Sequence, residues 1–389
     1  MSQHPLTQAI RIQTERTNEM EHSTPLFLTS SFVFDNAEEM RAAFADESTD
    51  NIYSRFSNPN VQEFVDKVCA LEEAEAGFAT STGMSAVFAS FMALLKKGDH
   101  ILSCSAVFGS THNIITKYLP NYGIESSYVH ADASEAEWEA AIRPNTRMIY
   151  VETPTNPGLE ILDLEFLGKL ARRKGVILNV DNCFATPVCQ RPLNYGADLV
   201  VHSATKWFDG QGRVLGGIVV GRKDLIRDIY LFGRNTGPSL SPFNAWVLSK
   251  SLETLDVRME RHASNAMHIA SALEKHEKIS WLKYPMLASH PQHSIAKRQM
   301  KNGGAIVCFE LKGGLEGGRK FLNNLQMLSL TANLGDTRSI ASHPASTTHS
   351  KLTEEERREV NITPGLIRIS AGLEYKDDIL NDILQALDA

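Results

Sequence analysis

From Asn60 onward the chain alternates between two periods of apolar residues. Val61, Phe64, Val65, Val68 and Leu71 recur at three- and four-residue spacing, which predicts an amphipathic helix. Beyond it, short apolar runs predict buried strands over 77–80, 100–103, 148–151, 176–180, 197–201 and 217–220, with helical segments such as 164–173 between them. Strands that stay apolar instead of alternating, and that are separated by helices, imply an α/β fold with a mostly parallel central sheet covered on both faces. A long helical stretch over 244–273 then leads to a smaller α+β portion. Its predicted strands are 306–311 and 366–370, with helices over 317–325 and 376–387. The first sixty residues show neither period and carry Thr24-Pro25, Ser30-Ser31 and Ser57-Asn58-Pro59, so they read as an extended arm. The expected division is an arm over 1–60, a large domain over 61–255 and a C-terminal domain over 256–389.

Composition narrows the classes. A net charge of -7, with no basic tract longer than Arg172-Arg173-Lys174, argues against a nucleic-acid surface. No apolar run approaches the ~18 residues of a membrane span, and the first residues lack the apolar core of a secretory leader. The five cysteines are odd in number and without paired metal spacing, which fits free thiols in a reducing cytoplasm. No glycine-rich dinucleotide or P-loop pattern occurs. His343 and His349 lack the cysteine or carboxylate company of a zinc site, so no metal is expected.

The chemistry lies where predicted strands end, the place where open α/β sheets bind ligands. The run 197–201 leads into His202-Ser-Ala-Thr-Lys206. Ser203 and Thr205 can bond phosphate oxygens while Lys206 forms a Schiff base, a combination that suits pyridoxal 5'-phosphate (PLP). Asp181, after 176–180, fits the partner of a pyridine nitrogen, although an aspartate there also suits a turn or helix cap. Asn156, after 148–151, can donate to the ring hydroxyl oxygen. Ala79-Thr-Ser-Thr-Gly-Met-Ser85 passes through Gly83 into a helix whose first N–H groups, including that of Met84, form a ready phosphate site. An ordinary capped helix explains that pattern equally well.

With these residues assembled, the chain resembles the Cys/Met-metabolism family of PLP-dependent transsulfuration enzymes. The likeness runs through Tyr53 to Pro59, Ser81 to Met84, Val151 to Pro157, Val180 to Asn182, His202 to Lys206, Leu240 to Trp246 and Ile367 to Glu374. It implies the aminotransferase-like arrangement known as fold type I. It also implies that Lys206 carries the cofactor, that Asp181 pairs with its ring nitrogen, and that Ser81, Gly83, Met84, Ser203 and Thr205 surround its phosphate. Tyr53 and Arg55 are implied to reach a neighbouring subunit's phosphate within a homotetramer built from two catalytic dimers. Arg368, with Asn156 and Ser339, is implied to hold the substrate α-carboxylate.

Within the family, Glu21-His-Ser, Leu26 to Val33, Val107 to Thr111 and Gly210 to Gly217 resemble the O-succinylhomoserine sulfhydrylase branch. That branch implies γ-replacement of an O-acylhomoserine by sulfide to give homocysteine. Phe108 stands where most of the family has a tyrosine on the cofactor ring. It keeps the stacking but lacks the phenol, which matches a carboxylate leaving group better than a thiolate. Cystathionine γ-synthase, O-acetylhomoserine sulfhydrylase and the γ-lyases are the alternatives. A non-catalytic PLP-binding protein would need neither Asp181 nor Arg368. Arg213, where many members have an aspartate, and Arg338 are candidate cations for a succinyl group, and both also suit structural salt bridges.

Overall fold

The computed structural model describes residues 3–347, 357 and 362–389, so His349 lies outside the described residues. Seven strands form the larger sheet: β1 (Ala76–Thr80), β2 (His100–Cys104), β3 (Glu125–Val129), β4 (Thr146–Glu152), β5 (Ile177–Asp181), β6 (Leu199–Ser203) and β7 (Gly217–Gly221). Their order is β1-β7-β6-β5-β4-β2-β3. The pairs from β6 through β3 are parallel, and β7 opposes both of its neighbours. The six strands read from apolar runs are present. β3 escaped that reading because Glu125-Ser-Ser-Tyr-Val129 is a partly exposed edge strand that needs no apolar run.

Both faces of this sheet are covered, which accounts for the unbroken apolar strands. Phe78, Leu199, Val201 and Val219 pack with Ala86 and Ala89 of the helix Gly83–Leu94 and with Ile226 and Ile229 of Lys223–Thr236. The intervening Ala79, Val200, Ile218 and Val220 pack with Phe64, Val68 and Leu71 of the helix Pro59–Glu72.

The C-terminal sheet contains β8 (Ile279–Lys283), β9 (Ile306–Leu311), β10 (Ser329–Leu330), β11 (Ile340–Ser342) and β12 (Leu366–Ser370), in the order β10-β11-β12-β9-β8. Val307, Phe309, Ile367 and Ile369 form its core with Ile379 and Ile383 of the helix Lys376–Asp388. Among the described residues no helix is long and apolar enough to cross a membrane.

The single helical stretch expected over 244–273 is two helices, Pro242–Leu252 and Leu255–Leu273. Thr254 leaves helical geometry between them (φ -113°, ψ 8°). The buried Arg258 guanidinium takes the Ser251 carbonyl at 2.9 Å and the Trp207 carbonyl at 2.7 Å, so the break leaves no orphaned acceptor there. The second helix links the two cores. Leu255 and Met259 pack under the larger sheet, while Ala266, Ile269, Ala270 and Leu273 pack under the smaller one.

The first sixty residues are less extended than expected. They hold the helices Pro5–Arg11 and Ala37–Phe44, each capped locally by a side chain, and the next helix already starts at Pro59. One or two turns are too few for a periodic signal. The arm is fastened by buried polar groups on Pro59–Glu72. Asn60 accepts the Phe27 N–H at 2.8 Å and donates to the Pro25 carbonyl at 2.8 Å. The buried Glu63 accepts from Thr14 N at 3.1 Å, from Ser249 Oγ at 2.6 Å and from the Thr24 hydroxyl, and it pairs with the fully buried Lys67 at 3.1 Å.

Glu63→Ala would leave three donors unmet and Lys67 with only Glu253 as its ion partner. Losing one side of a buried pair typically costs roughly 3–5 kcal/mol. The expected outcome is a lower denaturant midpoint, with proteolysis of the arm at denaturant concentrations that leave the wild type intact. An unchanged midpoint and unchanged arm cleavage would show that the arm is held elsewhere.

Candidate functional site

Because β4, β5 and β6 are parallel, their carboxyl ends open onto one edge. Glu152 ends β4 and faces Asp181, the last residue of β5, directly across the ladder. Ser203 ends β6, and the chain then turns, with Lys206 N donating to Ser203 O at 3.2 Å and Gly210 N to Lys206 O at 2.8 Å. This turn presents the Lys206 side chain toward the C-terminal domain, where Nζ donates to Asn333 Oδ1. Arg368 on β12 arrives from the same domain. Its Nη1 donates to Asn156 Oδ1 at 2.8 Å and its Nη2 to the Asn333 carbonyl at 3.1 Å. Lys206 and Arg368, far apart in sequence, are thus joined through Asn333, and Arg368 joins Asn156 to them.

Sequence reasoning missed Asn333 and expected Ser339 near the substrate α-carboxylate. The Ser339 hydroxyl is fully buried, donates to Glu374 Oε2 at 2.9 Å and accepts the Gly372 N–H at 2.8 Å. These bonds join two loops of the C-terminal domain, while Asn333 bonds both Lys206 and Arg368. Asn333 has no apolar period around it. Its place follows from packing, since a Cβ on the nearby Gly335 would come within 2.7 Å of the Lys206 backbone.

The N-terminus of the helix Gly83–Leu94 lies against the end of β6. Thr82 caps it, its hydroxyl accepting the Ser85 N–H at 3.1 Å, which leaves the Gly83 and Met84 N–H groups without helical acceptors. Contact is so close that a Cβ on Gly83 would sit 2.6 Å from Ser203 Cβ. On the other side, a Cβ on Gly217 of β7 would meet the Thr82 carbonyl at 2.1 Å. Ser81, next to the cap, approaches Ser85 Oγ at 3.3 Å, and Thr205 accepts the Gly216 N–H at 3.1 Å. Hydroxyls, free amides and a positive helix end around a glycine-lined cradle fit the phosphate of PLP.

The electrostatics fit the rest of the cofactor. Asp181 Oδ1 accepts the Cys183 N–H at 2.9 Å, and Oδ2 accepts from the Tyr150 hydroxyl at 3.3 Å. Burial raises the Asp181 carboxyl, a penalty that a ring N–H⁺ would relieve, while the Cys183 amide, His202 and Tyr150 already favour its charge. Phe108 donates its N–H to Glu152 Oε2 at 2.9 Å, and its ring is half-exposed. Burial pushes the Lys206 ammonium down, with Cys183 opposing and Arg368 reinforcing the shift. A lysine shifted this way supplies a free amine for proton transfer.

Two expected groups are not joined to this cluster. Arg55 donates to the Arg234 carbonyl and lies 4.8 Å from the Phe56 ring centroid, while Tyr53 is 41% exposed on the arm. Arg213 pairs with Asp209 at 2.9 Å, and Arg338 pairs with Asp336 at 2.8 Å. Both arginines therefore have structural partners.

Gly83→Ala should weaken PLP binding by roughly tenfold or more, since overpacking of this kind costs about 1–3 kcal/mol. Titration of the apoenzyme with PLP, followed by visible absorbance, measures it. Unchanged affinity would mean that the phosphate sits elsewhere.

The chain is similar along its length to characterised proteins. It is 46% identical to an O-succinylhomoserine sulfhydrylase of Pseudomonas aeruginosa over 98% of this chain and 95% of the relative. It is also 45% identical to an L-methionine gamma-lyase of Fusobacterium nucleatum, covering 94% and 93% of the two chains. The fold superimposes with a TM-score of 0.95 on a Campylobacter jejuni chain described as an O-acetylhomoserine (thiol)-lyase, at 33% identity and full coverage of both. That crystal structure carries a pyridoxyl-lysine monophosphate. The Cys/Met metabolism PLP-dependent enzyme profile matches residues 6–388, and the chain belongs to that family.

Proposed function

We propose that the protein catalyses γ-replacement on O-succinylhomoserine, with sulfide entering and succinate leaving, to give homocysteine. The observation that carries this reading within the family is Phe108, an aromatic without a phenol at the mouth of the site. Sulfhydrylases of this name among the relatives support it. PLP, when bound, supplies the electron sink. Asp181 holds the proton on the ring nitrogen. Arg368 grips the substrate α-carboxylate by a paired hydrogen bond, with Asn156 orienting the guanidinium. Lys206, whose charged form burial disfavours and which Asn333 steers, takes the α-proton as a free amine, moves protons between the α- and β-carbons so that the γ-substituent can leave, and returns them. At the γ-carbon the leaving carboxylate, of acid pKa ~4, departs without a proton donor, whereas a departing thiolate, of pKa ~8.5, gains from one.

Steady-state rates test the assignment. Homocysteine formation from O-succinylhomoserine and sulfide should exceed cystathionine formation with cysteine, 2-oxobutyrate release without thiol, and turnover of O-acetylhomoserine. Phe108→Tyr restores a phenol and should raise thioether cleavage relative to O-succinylhomoserine turnover, by roughly 10²-fold if the phenol transfers the proton. Faster cleavage of methionine or cystathionine by the wild type would replace this assignment with a lyase.

The separation of Tyr53 and Arg55 from Lys206 supports a site shared between two copies in a homotetramer. Inactive Arg55→Ala and Lys206→Ala proteins, mixed under conditions where subunit exchange is verified, should then recover part of the activity. No recovery would place Tyr53 and Arg55 outside the site.

A further inference from the structure

Glu152 lies in the site yet takes no part in the steps above. It ends β4, is 4% exposed, and forms no salt bridge among those seen in the described residues. Its carboxyl accepts the N–H of Phe108 at 2.9 Å, and the backbone amide of Asn156, four residues further on, lies close enough to favour its charged form. Phe108 carries the ring that covers the cofactor. Asn156 carries the amide that orients Arg368, at 2.8 Å.

We propose that Glu152 is a positioning residue, a buried strut that ties the backbone beneath Phe108 to that of Asn156. One side chain then sets both the aromatic cover of the cofactor and the clamp on the substrate carboxylate. The clamp half of this inference rests on the substrate reading given above.

Glu152 performs this task as a neutral acid. Asp181 is its direct partner across a parallel ladder, where paired side chains point to the same face and strands lie ~4.8 Å apart. Two buried carboxyls so placed do not both ionise at neutral pH. Asp181 has the stronger claim on the charge, with the Cys183 N–H, the Tyr150 hydroxyl and nearby His202 all favouring it. Burial and then Asp181 push the Glu152 carboxyl well above the usual range, against the two amides and Arg368. The Arg368 guanidinium is engaged by Asn156 and Asn333, and the Lys206 ammonium by Asn333. A protonated carboxyl still offers its carbonyl oxygen to an amide.

Glutamine is a neutral mimic of that acid, so the test compares Glu152→Ala with Glu152→Gln. Glu152→Ala should raise KM for O-succinylhomoserine and weaken PLP affinity of the apoenzyme, each by roughly tenfold or more, since buried amides lose their acceptor. Glu152→Gln should recover most of both losses and leave the pH midpoint of the resting enzyme's visible absorbance where the wild type has it. An Ala variant with wild-type KM and PLP affinity overturns the strut. A Gln variant as impaired as Ala, or with a shifted midpoint, overturns the neutral acid. If the Ala variant fails to fold, Gln decides alone, and loss of PLP affinity in it overturns the proposal. PLP affinity and absorbance do not depend on which substrate is turned over. A wild type inactive on O-succinylhomoserine would therefore fail the substrate reading while these two readouts still judged Glu152.

Discussion

Parallel pairing of β4, β5 and β6 is the constraint on which the site depends. In that arrangement Glu152, Asp181 and Ser203 leave the sheet at one edge. An antiparallel neighbour would have sent one of them to the opposite end. Reversal of β7 completes the geometry, because it brings Gly217 to the same edge, against the N-terminus of Gly83–Leu94. Only glycine at 83 and 217 permits that approach. A helix end, a strand end and a lysine-bearing turn thereby share one small volume.

Pleating divides the work between the two faces of the sheet. Successive residues point opposite ways, so Asp181 and Ser203 face the site while Asn182 and His202 face the helix Pro59–Glu72. There the buried Glu72 Oε1 accepts from His202 Nε2 at 2.6 Å and from Asn182 Nδ2 at 2.9 Å. Gln190 extends this network, donating to Asn182 Oδ1 at 3.0 Å and to the Thr153 carbonyl at 2.9 Å. Gln299 then donates to Gln190 Oε1 at 3.0 Å and to the Leu162 carbonyl at 3.0 Å. The residues next to Asp181 and Ser203 are thus held from behind by a buried polar network, which stiffens what it satisfies.

The C-terminal domain contributes Arg368 and Asn333, and both reach across to groups on the larger sheet's loops. The helix Leu255–Leu273 belongs to both cores and carries Arg258, which binds the Trp207 carbonyl beside Lys206. Lys206 and Arg368 are therefore referenced to one rigid element. Such a frame suits chemistry in which a base must meet a specific carbon of a clamped substrate.

Local sequence determined a large part of this protein. The apolar runs marked six strands of the larger sheet because two-face burial imposes them. The Ser-Ala-Thr-Lys run, Asp181, Asn156 and the Ser-Thr-Gly-Met turn were legible because each follows a strand, and parallel strands put such residues together. Tertiary structure decided what no local period records. The edge strand β3 needed no apolar run, and at the helix break the Arg258 guanidinium of the following turn bonds the Ser251 carbonyl. Placement of Asn333 beside Lys206 depends on how closely the Gly335 loop packs on the lysine's own backbone. The pairing of Glu152 with Asp181 is set by register between strands nearly thirty residues apart. In these cases the neighbour that matters comes from folding and leaves no trace in the local pattern.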